Sequence, residues 1–282
     1  MKRILFMALA LLLLFAGCGG KDYTDENYAA LLDAEGGFDR EGSVAVTFIY
    51  DYDDPSLAQL REKYGLAAVA GEGDTQERAI NLLHWLCAHS RHSNSFSIKE
   101  QDALRLLEYV YDTGKGLNCK FLSVILSEVC LSMKIQARVL WLMPRSSRDT
   151  ECHAVVIARI PERGKWIFLD PTHDAYFSDA QGGVLSPVEI RGSLARGGEM
   201  TLNPGARANE YLDWYLNYLA KDMFYFESIQ DTRFGMLSNK NVSIFLCPAQ
   251  FDLAACLAKR NHGRNKQKEY IFASPESFWA VD

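Results

Sequence analysis

The sequence predicts an α+β protein, with helices first and an antiparallel sheet after them. Helical patterns with regularly spaced apolar residues dominate positions 56–133, whereas β-branched and aromatic residues make up three short runs further on, at 137–142, 154–160 and 166–169. The last two runs are joined by a segment suited to a hairpin, Glu-Arg-Gly-Lys at 162–165. A helical layer packed against an antiparallel sheet is the simplest arrangement of these elements.

Local signals mark individual elements within and around this block. Two helices are expected after capping boxes, in which Ser or Asp is followed three positions later by Glu. These boxes lie at Asp74 with Glu77 and at Ser97 with Glu100. Strands are expected at 44–50, 242–246 and 270–272. An aromatic helical stretch at 211–226 is more typical of core packing than of ligand binding.

Residues 1–17 have the pattern of a secretory signal. Lys2 and Arg3 precede an apolar run at 4–16 that is too short to span a bilayer, and small residues follow it. The ending Ala-Gly-Cys resembles the bacterial lipobox, which implies that Cys18 is lipidated and anchors an extracytoplasmic protein to the cell membrane. The alternative is an ordinary signal that is cleaved elsewhere.

Composition excludes some classes of partner. The formal net charge is −6, and removing residues 1–17 would change it to −8 because only Lys2 and Arg3 are charged there. This negative charge argues against nucleic acid as a partner and against electrostatic attraction to anionic lipid. The remaining chain is expected to comprise a polar tether at 18–42 and a domain at 43–282, which is large enough for its own hydrophobic core.

Six cysteines follow Cys18, at positions 87, 119, 130, 152, 247 and 256. An exported chain with six cysteines is compatible with three disulfides. That pairing would consume Cys119, the cysteine best placed for chemistry. We therefore expect mostly reduced, buried thiols, with Cys247–Cys256 as the pair most able to form a bridge.

Cys119 stands at the head of an apolar segment that extends to about residue 133. Asn118 is a suitable N-cap, which makes Cys119 the first residue of a helix that is buried on most sides. The unsatisfied N–H groups and the positive dipole end at such a position favour thiolate over thiol, and they can also hold an oxyanion. An inert buried cysteine is the alternative on this argument alone.

His153 and Asp170 follow Cys119 on two successive predicted strands. Alternation places His153 with Val155 on one face, and a histidine at a strand end can reach a neighbouring helix start. The predicted hairpin would place Asp170 roughly opposite residues 156–158, within reach of His153. If they converge, the three groups can serve as nucleophile, base and orienting group. Otherwise the histidine is an ordinary surface residue and the aspartate begins an Asp-Pro turn.

Four sequence segments resemble the transglutaminase-like superfamily. They are Gly116-Leu117-Asn118-Cys119, Ala137-Arg138, Cys152-His153-Ala154-Val155 and Lys165-Trp166-Ile167-Phe168-Leu169-Asp170-Pro171-Thr172. The resemblance is close over 113–173 and extends over a core at about 75–226, with a strand and helix extension after it. It implies a papain-like α+β fold, in which a buried helix carrying Cys119 packs on an antiparallel sheet carrying His153 and Asp170.

By this resemblance Cys119 is the nucleophile, His153 is the general base and acid, and Asp170 orients the imidazole. The candidates for an oxyanion hole are the backbone N–H of Cys119 and the side chains of Trp85, His92 and Asn94. The neighbours Asn118 and Lys120 depart from the Gln-Cys-Trp of animal transglutaminases. Specificity for an acceptor lysine is therefore not implied.

These observations predict a membrane-anchored, cysteine-dependent amide hydrolase or acyl transferase that forms a thioester and acts on peptide or cell-envelope amides. No cofactor is expected. A metal set is conceivable among Cys119, Cys152, His153 and His173. Its spacing matches no familiar zinc pattern, so no metal is expected either. The alternative is a catalytically inactive binding or scaffold lipoprotein, since a fold does not fix a function.

Overall fold

A six-stranded sheet forms the centre of the computed structural model, which describes residues 27–99, 101–149, 151–238, 241–260 and 270–280. The strands of these segments are β1 (Ala137–Met143), β2 (His153–Ile160), β3 (Lys165–Leu169), β4 (Phe177–Ser178), β5 (Thr201–Leu202), β6 (Tyr225–Ile229), β7 (Ser243–Leu246) and β8 (Tyr270–Phe272). The sheet has the order β3-β2-β1-β6-β7-β8 and is antiparallel except between β7 and β8. Strands β4 and β5 form a separate pair.

Helices cover both faces of this sheet. In the described segments they are α1 (Tyr28–Ala34), α2 (Pro55–Lys63), α3 (Leu66–Ala70), α4 (Thr75–His89), α5 (Ala103–Thr113), α6 (Cys119–Ser132), α7 (Pro187–Arg196), α8 (Leu212–Asp222), α9 (Leu253–Arg260) and α10 (Pro275–Phe278). Helices α4, α5 and α6 share one hydrophobic core with the sheet, whereas α7 and α8 contribute to a second core. The predicted α+β class is confirmed.

Helix α6 begins at Cys119, as the sequence predicts. The Asn118 side chain accepts the N–H of Phe121 at 3.1 Å and so caps the helix. The stretch from Phe121 to Ser132 is buried throughout, because α6 lies between the sheet and helices α4 and α5. Only the start of α6 reaches the surface, and it leaves Cys119 partly exposed.

The hairpin of β2 and β3 sets the position of Asp170. Val156 pairs with Leu169 across the hairpin. Asp170 therefore follows at the level of Val155, one residue outside the predicted stretch. The shift arises because a short 3₁₀ turn at Pro161–Arg163, together with the glycine after it, closes the hairpin slightly earlier than expected.

Residues 44–50 do not form the predicted strand. They meet the sheet region at two isolated bridges, Val44 with Ala273 and Ile49 with Asp231. The first bridge lies just beyond β8 and the second just beyond β6. The segment therefore crosses from one strand end to another and cannot pair continuously with either.

Two helix predictions also shift. Helix α5 is capped by Asp102 and not by Ser97, whose predicted partner Glu100 lies outside the described residues. The aromatic stretch at 211–226 is helical only as far as Asp222, where α8 ends. Tyr225 and Phe226 instead begin β6, which pairs with β1 and β7, and both side chains are buried there.

Part of the predicted tether at 18–42 is folded onto the domain. Helix α1 packs against α7 and α8 and buries Leu32, and Phe38 lies in the second core. Apolar side chains explain this docking, since their burial removes apolar surface from water. Positions 1–26, which include the predicted signal and Cys18, lie outside the described residues. No helix in the described residues has the length and hydrophobicity needed to cross a membrane.

The six cysteines between positions 87 and 256 are free thiols. The bridge considered for Cys247 and Cys256 is therefore not formed, although both side chains are buried in a third small core. Four of the six are buried, and Cys119 and Cys152 are partly exposed.

Candidate active site

The Cys119 thiol lies where the start of α6 meets the start of β2. Its sulfur contacts the imidazole of His153 and the backbone N–H of Ala154. The helix gives Cys119 a position at which backbone N–H groups have no acceptor within the helix. The thiol therefore faces both a base and the positive end of a helix.

His153 and Asp170 form a buried pair. Nε2 of His153 lies 2.7 Å from Oδ2 of Asp170, and the two side chains are 1% and 0% exposed. With Nε2 bonded to the carboxylate, Nδ1 is the nitrogen left for the thiol of Cys119. The structure thus brings together the three residues that the sequence singles out.

The three residues meet where β2 begins and β3 ends, and not on one face of the sheet. Ala154 and Val156 pack in the core that contains α6, whereas Val155 packs in the core that contains α8. His153 shares the face of Val155, so alternation turns it towards α8. Cys119 reaches it because the start of α6 lies beside the start of β2.

The electrostatics of the site favour a thiolate–imidazolium pair. Burial opposes ionisation of Cys119, but the hydrogen bond and charge of His153 and the N–H of Ala154 lower the pKa of the thiol. Burial also lowers the pKa of His153, yet the charge of Asp170 and the hydrogen bonds to Asp170 and Cys119 outweigh it and raise the pKa to about 10. Such a shift is typical of reactive cysteines.

Asp170 is held as an anion. Its burial would raise the pKa of the carboxyl group, but the charge of His153 and the hydrogen bonds from His153 and Tyr215 lower it well below its usual range. The backbone N–H of Thr172 also donates to Oδ1 at 2.8 Å. The carboxylate is thus suited to orient the imidazole and to stabilise its positive charge.

A comparison with known families agrees with this arrangement. Residues 63–171 match the family model described as the transglutaminase-like superfamily. Over this segment the chain is similar to the transglutaminase-like superfamily. The segment runs from the end of α2 to the residue after Asp170, so the transglutaminase-like core contains all three residues of the site.

A solved structure gives a weaker likeness. A protein named "Putative Cysteine Protease" from Cytophaga hutchinsonii is 14% identical, over 53% of this chain and 48% of that chain, with a TM-score of 0.33. The chain therefore spans about half the length of that protein. No curated protein matches the chain.

Aromatic residues of α8 line the site, although their sequence pattern is more typical of core packing. The ring of Tyr218 lies 5.2 Å from that of His153, and Trp214 stacks on Tyr218 at 5.0 Å. The hydroxyl of Tyr215 lies 2.7 Å from Asp170. Helical spacing places positions 215, 218 and 222 on one face of α8, but this spacing alone does not distinguish residues that line a site from residues of the core.

The oxyanion candidates fall at different places. The backbone N–H of Cys119 is at the site. His92 lies beside the start of α6, because it forms an isolated bridge with Leu117, two residues before Cys119. Trp85 packs 6.0 Å from Tyr64 and 5.4 Å from His89, and the exposed Asn94 follows in a loop. His92 is a side-chain candidate whose pKa responds to the site: partial burial and the charge of His153 lower it and the charge of Asp170 raises it.

His173 completes a group whose ligand atoms lie within 4.8 Å of one another, with His153 and Asp170. Burial lowers the pKa of His173 to about 4, so its imidazole is neutral. Its Nδ1 lies 3.0 Å from the hydroxyl of Tyr211. Hydrogen bonds within the protein thus account for this group, which differs from the set of Cys119, Cys152, His153 and His173 weighed from the sequence.

Proposed function

We propose that the chain is a cysteine-dependent enzyme that cleaves amides of peptides or of the cell envelope through a thioester on Cys119. The observation that carries this proposal is the contact of the Cys119 thiol, with its lowered pKa, with an imidazole that is bonded to Asp170. The superfamily of residues 63–171 supports it further. Hydrolysis is favoured over cross-linking, because no acceptor-binding feature is visible in the sequence.

The first half of the reaction uses the thiolate–imidazolium pair. The Cys119 sulfur attacks the amide carbonyl carbon, and the carbonyl electron pair moves onto oxygen to give a tetrahedral intermediate. As the oxygen electrons return, the C–N bond breaks, and the His153 imidazolium gives its proton to the leaving nitrogen. The products are a thioester on Cys119, a free amine and neutral His153.

The second half returns the enzyme to its starting state. Neutral His153 takes a proton from water, whose oxygen attacks the thioester carbonyl. The C–S bond then breaks and releases a carboxylic acid and the Cys119 thiolate beside the imidazolium. An amine in place of water would give acyl transfer by the same steps. The backbone N–H of Cys119 is placed to stabilise the oxyanion in both halves.

We further propose that the enzyme works outside the cytoplasm on a lipid anchor at Cys18. The support is the basic, apolar and small-residue order of the first 18 residues. Replacement of Cys18 with Ser should abolish incorporation of labelled fatty acid and release the protein from the membrane fraction. A labelled Cys18→Ser protein would contradict the anchor.

The catalytic proposal is tested with the full chain in detergent and a panel of peptide and cell-envelope amides. The Cys119→Ala variant should reduce acyl release to the uncatalysed rate and should form no hydroxylamine-sensitive adduct at position 119. The Cys247→Ala variant is the matched control, because burial raises the pKa of that thiol and it lies outside the site. It should retain activity.

Two results would contradict the proposal. Activity that survives Cys119→Ala would place the chemistry elsewhere. A wild-type protein that binds panel members but never acylates Cys119 would favour the binding or scaffold alternative.

A further inference from the structure

Tyr215 on α8 contacts Asp170 at the oxygen that also meets His153. The Tyr215 hydroxyl lies 2.7 Å from Oδ2, and Nε2 of His153 lies 2.7 Å from the same atom. The other oxygen, Oδ1, accepts the N–H groups of Thr172 and His173 at 2.8 and 3.4 Å. Two side-chain donors therefore share one carboxylate oxygen, and backbone donors hold the other.

We propose that Tyr215 is a positioning residue of the site, whose hydroxyl keeps the Asp170 carboxylate ionised and in the orientation that meets His153. This inference deepens the proposed function and rests on it. Tyr215 acts on Cys119 only through Asp170 and His153, so the site is a chain of four side chains and not three.

The direction of the hydrogen bond follows from the two groups. Burial, together with the charge of Asp170 and the hydrogen bond to it, raises the pKa of Tyr215 well above its usual value, so the hydroxyl keeps its proton. Asp170 is ionised for the reasons given above. A protonated phenol beside a carboxylate donates. Hydrogen bonds to ionised acceptors are about twice as strong as neutral ones, so the contact stabilises the anion.

The ring and the hydroxyl of Tyr215 have separable roles. The side chain is fully buried, and its ring stacks on that of Phe177 at 6.0 Å and lies 4.6 Å from that of His173. Phenylalanine would keep these contacts. A buried tyrosine hydroxyl usually finds a polar partner, and here the partner is the carboxylate that orients the imidazole. If Tyr215 served only in packing, removal of its hydroxyl would leave the pKa of the Cys119 thiol unchanged.

The test compares Tyr215→Phe with Tyr109→Phe in the full chain. The Tyr109 hydroxyl is buried and has no hydrogen-bond partner in the described residues, so its removal is a matched control. The readout is the rate of Cys119 alkylation by iodoacetamide against pH. Without this donor the Asp170 carboxylate is held less firmly against His153, so it stabilises the imidazolium less and the Cys119 thiolate takes up its proton at higher pH. The acid midpoint should rise by half a unit or more, which is about a threefold loss of rate on that limb.

Two further measurements separate positioning from packing. In an Asp170→Asn background, Tyr215→Phe should have no additional effect, whereas a packing defect would persist. Incorporation of 3-fluorotyrosine at position 215 keeps the ring and makes the hydroxyl a stronger donor, so the acid midpoint should fall. This second substitution also serves if Tyr215→Phe does not fold.

The inference is overturned if Tyr215→Phe leaves the midpoint unchanged, if its effect persists with Asp170→Asn, or if 3-fluorotyrosine fails to lower the midpoint. Alkylation needs no substrate, so it is independent of turnover. A midpoint that responds in a protein that cleaves no amide would therefore refute the proposed function and retain the role of Tyr215.

Discussion

Asp170 and Glu128 are both fully buried carboxyl groups, yet burial has opposite outcomes for them. Each accepts hydrogen bonds from the backbone. Glu128, in the middle of α6, accepts the N–H groups of Ala103 at 2.7 Å and Gly235 at 2.9 Å. Burial raises the pKa of Glu128 to about 8, despite those N–H groups. The pKa of Asp170 is instead held well below its usual range.

The difference lies in the charge of the neighbours. Asp170 meets the imidazole of His153 at 2.7 Å, whereas the contacts that the structure gives Glu128 are backbone N–H groups. Neutral donors reduce the rise in carboxyl pKa that burial causes, whereas a neighbouring positive charge can turn that rise into a fall. A buried carboxyl group with a cation beside it is thus the one that can support chemistry, and the other serves to join segments of the fold.

The largest effect is expected from Asp170→Asn. The amide keeps the size of the side chain but removes the charge that raises the pKa of His153, so the imidazolium that stabilises the Cys119 thiolate is lost. Alkylation of Cys119 at pH 6 should slow roughly 100-fold, because a thiol whose pKa returns to near its ordinary value of about 8.5 is ionised to only about 1% or less at that pH. Glu128→Gln should leave this rate unchanged. If both variants slowed alkylation equally, the contrast drawn between Asp170 and Glu128 would be wrong.

Glu128→Gln should instead change how stability depends on pH. The pKa of Glu128 is about 8 in the folded state and near 4.5 when unfolded, so its contribution is fully present below about pH 4.5 and is lost as pH rises to about 8. The free energy of unfolding of the wild type, relative to the variant, should fall by roughly 3 kcal/mol between pH 5 and pH 8.

Urea unfolding at the two pH values measures this change. Asp222 and His173 also titrate differently in the folded state, but they do so in both proteins, so the difference isolates Glu128. A wild type and a variant with parallel pH dependence would show that Glu128 is ionised throughout.

The smallest effect is expected at Glu108, whose carboxylate lies beside two cationic side chains but is close to solvent. Its carboxylate lies 2.6 Å from Lys63 and 2.7 Å from Arg105, and the cationic side chains are 41% and 58% exposed. Glu108→Gln should change the free energy of unfolding by less than about 1 kcal/mol, because solvent and salt screen exposed pairs. Urea unfolding at low and high salt checks this, and a loss above about 2 kcal/mol would show that partner charge matters without burial.

Local signals in the sequence predicted the helix and strands around Asp170 better than the distant contacts of Asp170 and Glu128. The N-cap at Asn118 and the β-branched runs of the hairpin are contained in a few consecutive residues, so the start of α6 and the strands bearing His153 and Asp170 could be predicted. The hairpin register differs from the predicted one by one residue, because the four-residue turn lies at 161–164 and not at 162–165, and the sequence pattern does not distinguish these positions.

Contacts between distant residues could not be predicted in this way. Tyr215 is 45 positions from Asp170, and Gly235 is 107 positions from Glu128. A tyrosine in an aromatic helix has the same pattern whether its hydroxyl meets a carbonyl or a catalytic carboxylate. Only the packing of α8 against the site decides between these.

The central claim is that Cys119 is a thiolate paired with His153 at neutral pH. The most direct test is alkylation of the full chain by iodoacetamide between pH 5 and pH 9, with the rate at Cys119 followed by peptide mass. We predict that the rate at pH 6 is within a few-fold of the rate at pH 9. A rate that rises about tenfold per pH unit towards pH 8.5 would show an ordinary thiol and contradict the ion pair.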